Sequence, residues 1–138
     1  MKVFEILYEQ VEWRTIPGWP EYEVSNAGEI RSKKTGNSIS SWKHHARRGT
    51  YDRITLRRNP GDKGRKRFNI RAHRAVALAF LPVPKRLKGK GRLEVDHKDG
   101  NSHNNHVSNL EWVSGQENTQ RAKTRQKERG HPKKIKEK

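Results

Sequence analysis

A chain of 138 residues with 29% hydrophobic residues and a mean hydropathy of −1.25 has room for one small core, and no apolar run approaches the ~20 residues of a membrane span. Cysteine is absent, which excludes disulfides and Cys-ligated structural zinc. The formal net charge of +17 points to a polyanionic partner, and Met1–Glu5 is no signal peptide, so a soluble protein of the cytoplasm is expected, with no membrane partner.

That charge is unevenly spread. Residues 1–42 hold five basic and six acidic side chains, residues 43–74 twelve and two, and residues 75–92 five basic ones. Residues 93–120 reverse the balance, with one basic and five acidic, before nine and two in residues 121–138. An acidic island thus lies between basic flanks. The flanks attract a nucleic acid, while the island helps to hold a divalent cation.

Residues 1–12 mix apolar and acidic positions without a clear period. Trp13–Ser32 is punctuated by Pro17-Gly18 and Pro20 and predicts a strand at Tyr22–Ser25, a tight turn at Asn26-Ala27-Gly28 and a return strand at Glu29–Ser32. Tyr22, Val24 and Ile30 share one face, with Trp13 and Trp19 nearby, as in a small aromatic-anchored β core. Further strands are predicted at Ser38–Trp42, Tyr51–Arg58 and Arg67–Arg71. Alternation puts Tyr51, Arg53, Thr55 and Arg57 on one face and Asp52, Ile54 and Leu56 on the other. Arg53 and Arg57 then project from a sheet face, with Arg47, Arg48, Lys63, Arg65 and Lys66 in the adjoining loops. A ribbon of this kind fits a DNA major groove, and most of its arginines would meet phosphates, which take half or more of protein–DNA hydrogen bonds.

Ala72–Phe80 predicts a short buried helix stopped by Leu81-Pro82-Val83-Pro84. Its Arg74 joins the candidate DNA-binding residues. His73 reads as structural or phosphate-facing, because nothing beside it supplies a metal-binding partner. After a basic loop comes Leu93–Asn118, LEVDHKDGNSHNNHVSNLEWVSGQEN. This stretch predicts a short strand, a long Asn- and Gly-rich loop, and a second strand at Leu110–Val113. A capping box at Ser114-Gly115-Gln116-Glu117 then opens a helix that runs from about residue 115 to about residue 129. Gly130 and Pro132 stop it, and residues 131–138 read as a disordered basic tail.

A helix packed across the hairpin would gather Asp96, His97 and Asn118 around one point. A carboxylate and an amide oxygen suit a hard cation such as Mg²⁺, and a neutral imidazole beside them can accept a proton near pH 7. Together they describe metal-assisted phosphodiester hydrolysis. The same residues also suit an Asn-rich turn carrying an incidental His.

Asp96-His97, Asn109 twelve positions after His97 and Asn118 nine further on resemble the pattern of HNH nucleases, whose fold is the ββα-metal (His-Me finger) unit. The branch most similar is that of phage homing endonucleases, which Asp99-Gly100-Asn101, Asn104-Asn105, Asn109-Leu110 and Trp112-Val113 also match. Trp13, Ile16-Pro17-Gly18 and the run Tyr22, Val24-Ser25-Asn26, Gly28, Ile30 resemble the short N-terminal module that accompanies such domains. The resemblance implies His97 as general base and Asp96 and Asn118 as ligands of one Mg²⁺ or Mn²⁺ per site. It also implies that Asn109 pins the loop that aims His97.

The expected protein is α+β. A β-rich DNA-binding module at residues 1–71, an antiparallel sheet, precedes a ββα-metal nuclease unit at 72–130 and the tail at 131–138. It would act as a monomer on double-stranded DNA and need no structural zinc. The alternatives are a non-catalytic DNA-binding protein on the same scaffold, or a non-specific nuclease that also takes RNA.

Overall fold

The computed structural model describes residues 10–47, 49–58 and 66–130. The chain enters through β1 (Trp13–Ile16) and β2 (Trp19–Ser25), followed by β3 (Ile30–Ser32) and β4 (Ser38–Ile39). These four form one antiparallel sheet in chain order. The predicted turn after Ser25 is built from its own side chains. Ser25 Oγ accepts from the backbone N–H groups of Ala27 and Glu29, at 3.2 and 3.1 Å, as short hydroxyl side chains do in turns. Gly28, at φ +93°, completes it without the penalty a Cβ would bring.

A second antiparallel sheet holds β5 (Trp42–Ala46), β6 (Gly49–Arg57) and β7 (Arg67–Arg71), with β6 in the middle. The stretch predicted as one strand at Ser38–Trp42 is divided: Ser38–Ile39 closes the first sheet and Trp42 begins the second. Trp13–Ile16 is a strand the sequence left unmarked, because it shows no alternation and only Ile16 is buried. Trp13 pairs with Ser25, one position out of step with Val24. It therefore turns to the opposite face from Tyr22, Val24 and Ile30, where the Arg31 guanidinium covers it at 3.8 Å.

Helix α1 (Ala72–Phe80) follows β7 without a break and has no side-chain cap. Packing stabilises it instead. Ala72, Ala75, Val76 and Ala77 are buried, and their small size lets both sheets and the following hairpin approach. One buried cluster runs from Ile16, Val24 and Ile30 through Ile54, Leu56 and Val76 to Val95, Leu110 and Trp112. Each large aliphatic side chain in it contributes about 1.5–3 kcal/mol of burial free energy. The N-terminal sheets and the C-terminal hairpin thus share one apolar interior.

The hairpin is β8 (Leu93–His97) with β9 (Leu110–Ser114), and α2 (Gly115–Glu128) closes the described chain. Ser114 Oγ accepts from the Glu117 N–H at 3.1 Å, the first half of the capping box. The second half is not made, because the Glu117 carboxylate instead accepts from Arg86 at 2.7 Å. Helix α2 has no buried residue, so it lies on the hairpin through polar and ionic contacts. No described helix is long and apolar enough to cross a membrane. The readings of residues 1–9 and 131–138 lie outside the described residues.

Candidate active site

The twelve-residue connection between His97 and Leu110 is organised by one amide. Asn109 Oδ1 accepts from the Asp99 N–H at 3.0 Å, while its Nδ2 donates to Asp99 Oδ1 and to the Asn104 carbonyl, both at 2.9 Å. Asp99 also accepts from the Asn101 N–H at 2.7 Å and from Asn104 Nδ2 at 2.9 Å. The Asn104 amide, the Asn101 N–H and the Asn109 amide together hold its carboxyl down to about 2, so it stays ionised and keeps the loop closed. Asn109 therefore ties together the start, middle and end of the loop beside His97.

His97 ends β8 and is only 6% exposed. Its Nε2 lies 2.9 Å from Asn105 Oδ1, and its ring centroid is 4.8 Å from that of His73. His73, 4% exposed, has its pKa pushed down to about 3 by burial and then by His97, Arg71 and Arg74, so it is neutral at physiological pH. Nδ1 of His73 is buried without a hydrogen-bond partner. His73 is thus a structural neighbour of His97 rather than a phosphate contact.

Asp96, one residue earlier, points to the other face of the hairpin, toward α2. It is 4% exposed, and both oxygens are engaged: Arg125 Nη1 and Nη2 donate at 2.9 and 2.8 Å, and Arg121 Nη1 at 3.1 Å. Burial works to raise its pKa, but the bonds from Arg125 and Arg121 outweigh this and leave the carboxyl below its ordinary range. Arg121 also donates to Glu111 at 2.7 Å. Asn118, in the first turn of α2, uses Nδ2 to bond Glu94 Oε2 at 2.6 Å.

The structure therefore brings Asp96 and Asn118 to the same α2-facing side, without a hydrogen bond between them. It turns His97 away, where the sequence pattern gathers all three. The reason is the pleat, which sends neighbouring strand residues to opposite faces. No three His, Asp or Glu side chains among the described residues converge as a ready-made cation site. The donors nonetheless fit a hard divalent cation in type, since a carboxylate and an amide lie on the same side of the hairpin as Glu94. Asp96 could serve only when the two guanidinium groups release it.

The second sheet presents the basic face that alternation predicts. Arg53 pairs with Trp42 on one side and Arg71 on the other, Tyr51 with His44, and Arg57 with Arg67. Arg53 Nε is buried with no protein partner. The Arg71 guanidinium lies over Tyr51 at 4.9 Å, and His44 has its pKa lowered by desolvation and then by Arg53 and Arg71. Arg47 and Lys66 are exposed at the ends of the strands. Arg74 is tied into the fold, donating to the Leu93 carbonyl at 3.1 Å with its guanidinium 5.6 Å from the Trp112 ring. Arg48, Lys63 and Arg65 lie outside the described residues. Sequence reasoning does not single out Asn105, Asp52, Arg121 or Arg125 as site residues. Only for the arginines is there a signal, their spacing of four on one helix face.

A strand ending in Asp-His, a loop pinned by Asn109, a return strand and a helix bearing Asn118 make a ββα unit. Residues 71–120 match the HNH endonuclease family model, in agreement with the resemblance read from the motifs. The chain is 37% identical over 116 residues to the DNA endonuclease I-HmuI of Bacillus phage SP01, covering 83% of this chain and 59% of that protein. It is 36% identical over 113 residues to an uncharacterized HNH endonuclease of Acanthamoeba polyphaga mimivirus, covering 82% of this chain and 30% of the other. The solved structure of the HNH homing endonuclease I-HmuI, described as showing DNA binding and cleavage, superposes with a TM-score of 0.60 at 35% identity. That match covers 88% of this chain and 61% of the other, and it shows the expected α+β fold. The chain spans less than two thirds of the length of these relatives.

Proposed function

We propose that this chain is a metal-dependent DNA endonuclease in which His97 is the general base and Asp96 and Asn118 hold a single Mg²⁺ or Mn²⁺. The observation that carries this reading is the setting of His97. Nε2 is anchored on Asn105, which leaves Nδ1 as the nitrogen to accept a proton, and the adjacent His73 is neutral and adds no competing charge. His97 Nδ1 takes a proton from water, whose oxygen attacks phosphorus as the bond to the 3′ oxygen breaks. The departing 3′ oxygen takes a proton from solvent, so the ends are a 5′-phosphate and a 3′-hydroxyl. When bound, the cation supplies charge stabilisation for the phosphate and the departing oxygen. Asn109 holds the loop beside the base, and Arg121 and Arg125, which hold Asp96 ionised in the free protein, must release it to the cation. Similarity to I-HmuI, a named DNA endonuclease, supports DNA as the substrate. We take that substrate to be double-stranded, the protein to be a monomer, and its place to be the host cytoplasm.

A second reading, a DNA-binding protein that does not cut, is favoured by the double engagement of Asp96. Incubation with supercoiled plasmid separates the two. Open-circular or linear product with Mg²⁺ or Mn²⁺, abolished by EDTA, is the expected result. Plasmid that is bound but unchanged in both metals would establish the second reading.

The DNA surface is assigned to the face of the second sheet that carries Arg53 and Arg57, with Arg47 and Lys66 at its margins. The flanking Arg48, Lys63, Arg65 and Arg74 are expected to meet further phosphates, Arg74 the least, because its guanidinium is already engaged. Replacing Arg53 and Arg57 together with Ala should weaken binding and lower the log–log salt dependence by about 0.9 for each phosphate left without its arginine. A binding titration across salt concentrations measures this. An unchanged slope would move the interface elsewhere.

A further inference from the structure

We propose that Asn105 and Asp52 are positioning residues that set the His97 ring in the tautomer whose Nδ1 is bare. The proposal rests on the reading of His97 as general base and adds what makes that nitrogen the base.

A carboxylate at neutral pH only accepts hydrogen bonds, and an amide has one accepting end and one donating end. Asp52 Oδ2 lies 3.2 Å from Asn105 Nδ2, so the amide turns its NH₂ group toward Asp52. Its Oδ1 then faces His97 Nε2 at 2.9 Å, and an oxygen that only accepts requires the hydrogen to be on Nε2. A neutral imidazole carries one N–H, so Nδ1 keeps its lone pair. Reversing the amide would set Oδ1 against the Asp52 carboxylate and break that bond, so Asp52 fixes which end of the amide faces His97.

The chain of bonds is itself anchored. His103 Nδ1 lies 2.8 Å from the other Asp52 oxygen, and the Ser102 hydroxyl donates to the Thr50 carbonyl on the same strand, β6. From the other side the Gly28 turn presses on the loop: a Cβ at Gly28 would stand 2.8 Å from Asn105 Cβ. Asn105, within the hairpin loop, is buried, with the Gly28 turn of the first sheet and Asp52 of the second against it. Asp52 comes from outside the matched HNH segment at 71–120, so the N-terminal β region orients the candidate base as well as offering a DNA surface.

The test compares Asp52→Ala, Asn105→Ala, Asn105→Asp and the double variant D52N/N105D, in which carboxylate and amide trade places. Two measurements are made on the full chain. The ¹⁵N spectrum of the imidazoles, with the His97 signal assigned by His97→Gln, reports which nitrogen carries the hydrogen without metal or DNA. Single-turnover cleavage and DNA affinity report function. Wild type should show His97 as the Nε2–H tautomer. Asp52→Ala and Asn105→Ala should give mixed tautomers and cleavage about 10–100-fold slower, the usual effect of removing a group that orients a site residue, with DNA affinity unchanged. Asn105→Asp should keep the Nε2–H tautomer but be impaired by repulsion from the Asp52 carboxylate, and the double variant should recover the rate. An unchanged tautomer in Asp52→Ala, or a double variant no better than Asn105→Asp, would overturn the proposal. A mixed tautomer with undiminished cleavage would leave the hydrogen-bond chain standing and overturn His97 as the base, so the two readings fail separately.

Discussion

Replacing His97 with Ala should lower cleavage by about 10²–10⁴-fold, the usual contribution of a positioned general base, while DNA affinity stays near that of the wild type. The expectation of intact binding comes from the structure. His97 sits on the hairpin face toward His73 and Asn105, away from the arginine-bearing face of the second sheet. Truncation removes the partner of Asn105 Oδ1 and opens space beside a buried ring, so some decrease in stability is expected as well. His97→Gln, which keeps a polar side chain opposite Asn105, separates that decrease from the chemical effect. It should melt closer to wild type and still fail to cleave. Gel-shift affinity and single-turnover cleavage on the same preparations measure the effect, and near-normal cleavage by either variant would remove His97 from the role of base.

The second large effect concerns the cation. Asp96→Asn removes the only formal charge among the two assigned ligands and should weaken Mn²⁺ binding by about tenfold or more, with cleavage falling in step. Asn118→Ala removes a neutral oxygen and should cost less. Asn118→Asp should retain more activity than Asn118→Ala, but the structure adds a condition. Asn118 donates to Glu94 Oε2 at 2.6 Å, so an Asp there would meet another carboxylate. The apo variant should therefore melt lower than wild type and gain more on adding Mn²⁺, because a ligand that binds only the folded state stabilises it. Asn118→His should remain active, with its preference moved toward Mn²⁺, Co²⁺ or Ni²⁺, since imidazole suits softer divalent metals. Arg125→Ala should bind Mn²⁺ more tightly in the absence of DNA, because it frees Asp96 Oδ1, which accepts from Arg125, and leaves Oδ2 with Arg121 alone. Calorimetric titration and melting curves measure all of these, and full Mg²⁺-dependent activity of Asn118→Ala would exclude Asn118 as a ligand.

Local chemistry made much of this protein legible. Ala72–Phe80 is helical over its predicted span because a compact Ala-rich run is closed by two prolines. Tyr51–Arg57 alternates as its side chains do, and Ser114 caps the last helix, as its spacing to Glu117 predicts. The Asp-His-Asn-Asn pattern named the nuclease class, because those spacings describe one continuous hairpin and helix.

Contacts between distant segments were not legible. Whether Ser38–Trp42 stays in one sheet, and which face Trp13 takes, depends on how sheets pack and on the register of a pairing partner. The grip of Arg125 on Asp96 spans 29 residues and the bond from Asn105 to Asp52 spans 53. Periodicity and spacing report what a segment offers on each face, and they singled out Asp96, His97 and Asn118 as candidates, to which the family resemblance added Asn109. What each of those side chains touches is set by long-range packing around one shared core, and so the guanidinium groups on Asp96 and the amide that orients His97 were decided by the tertiary structure alone.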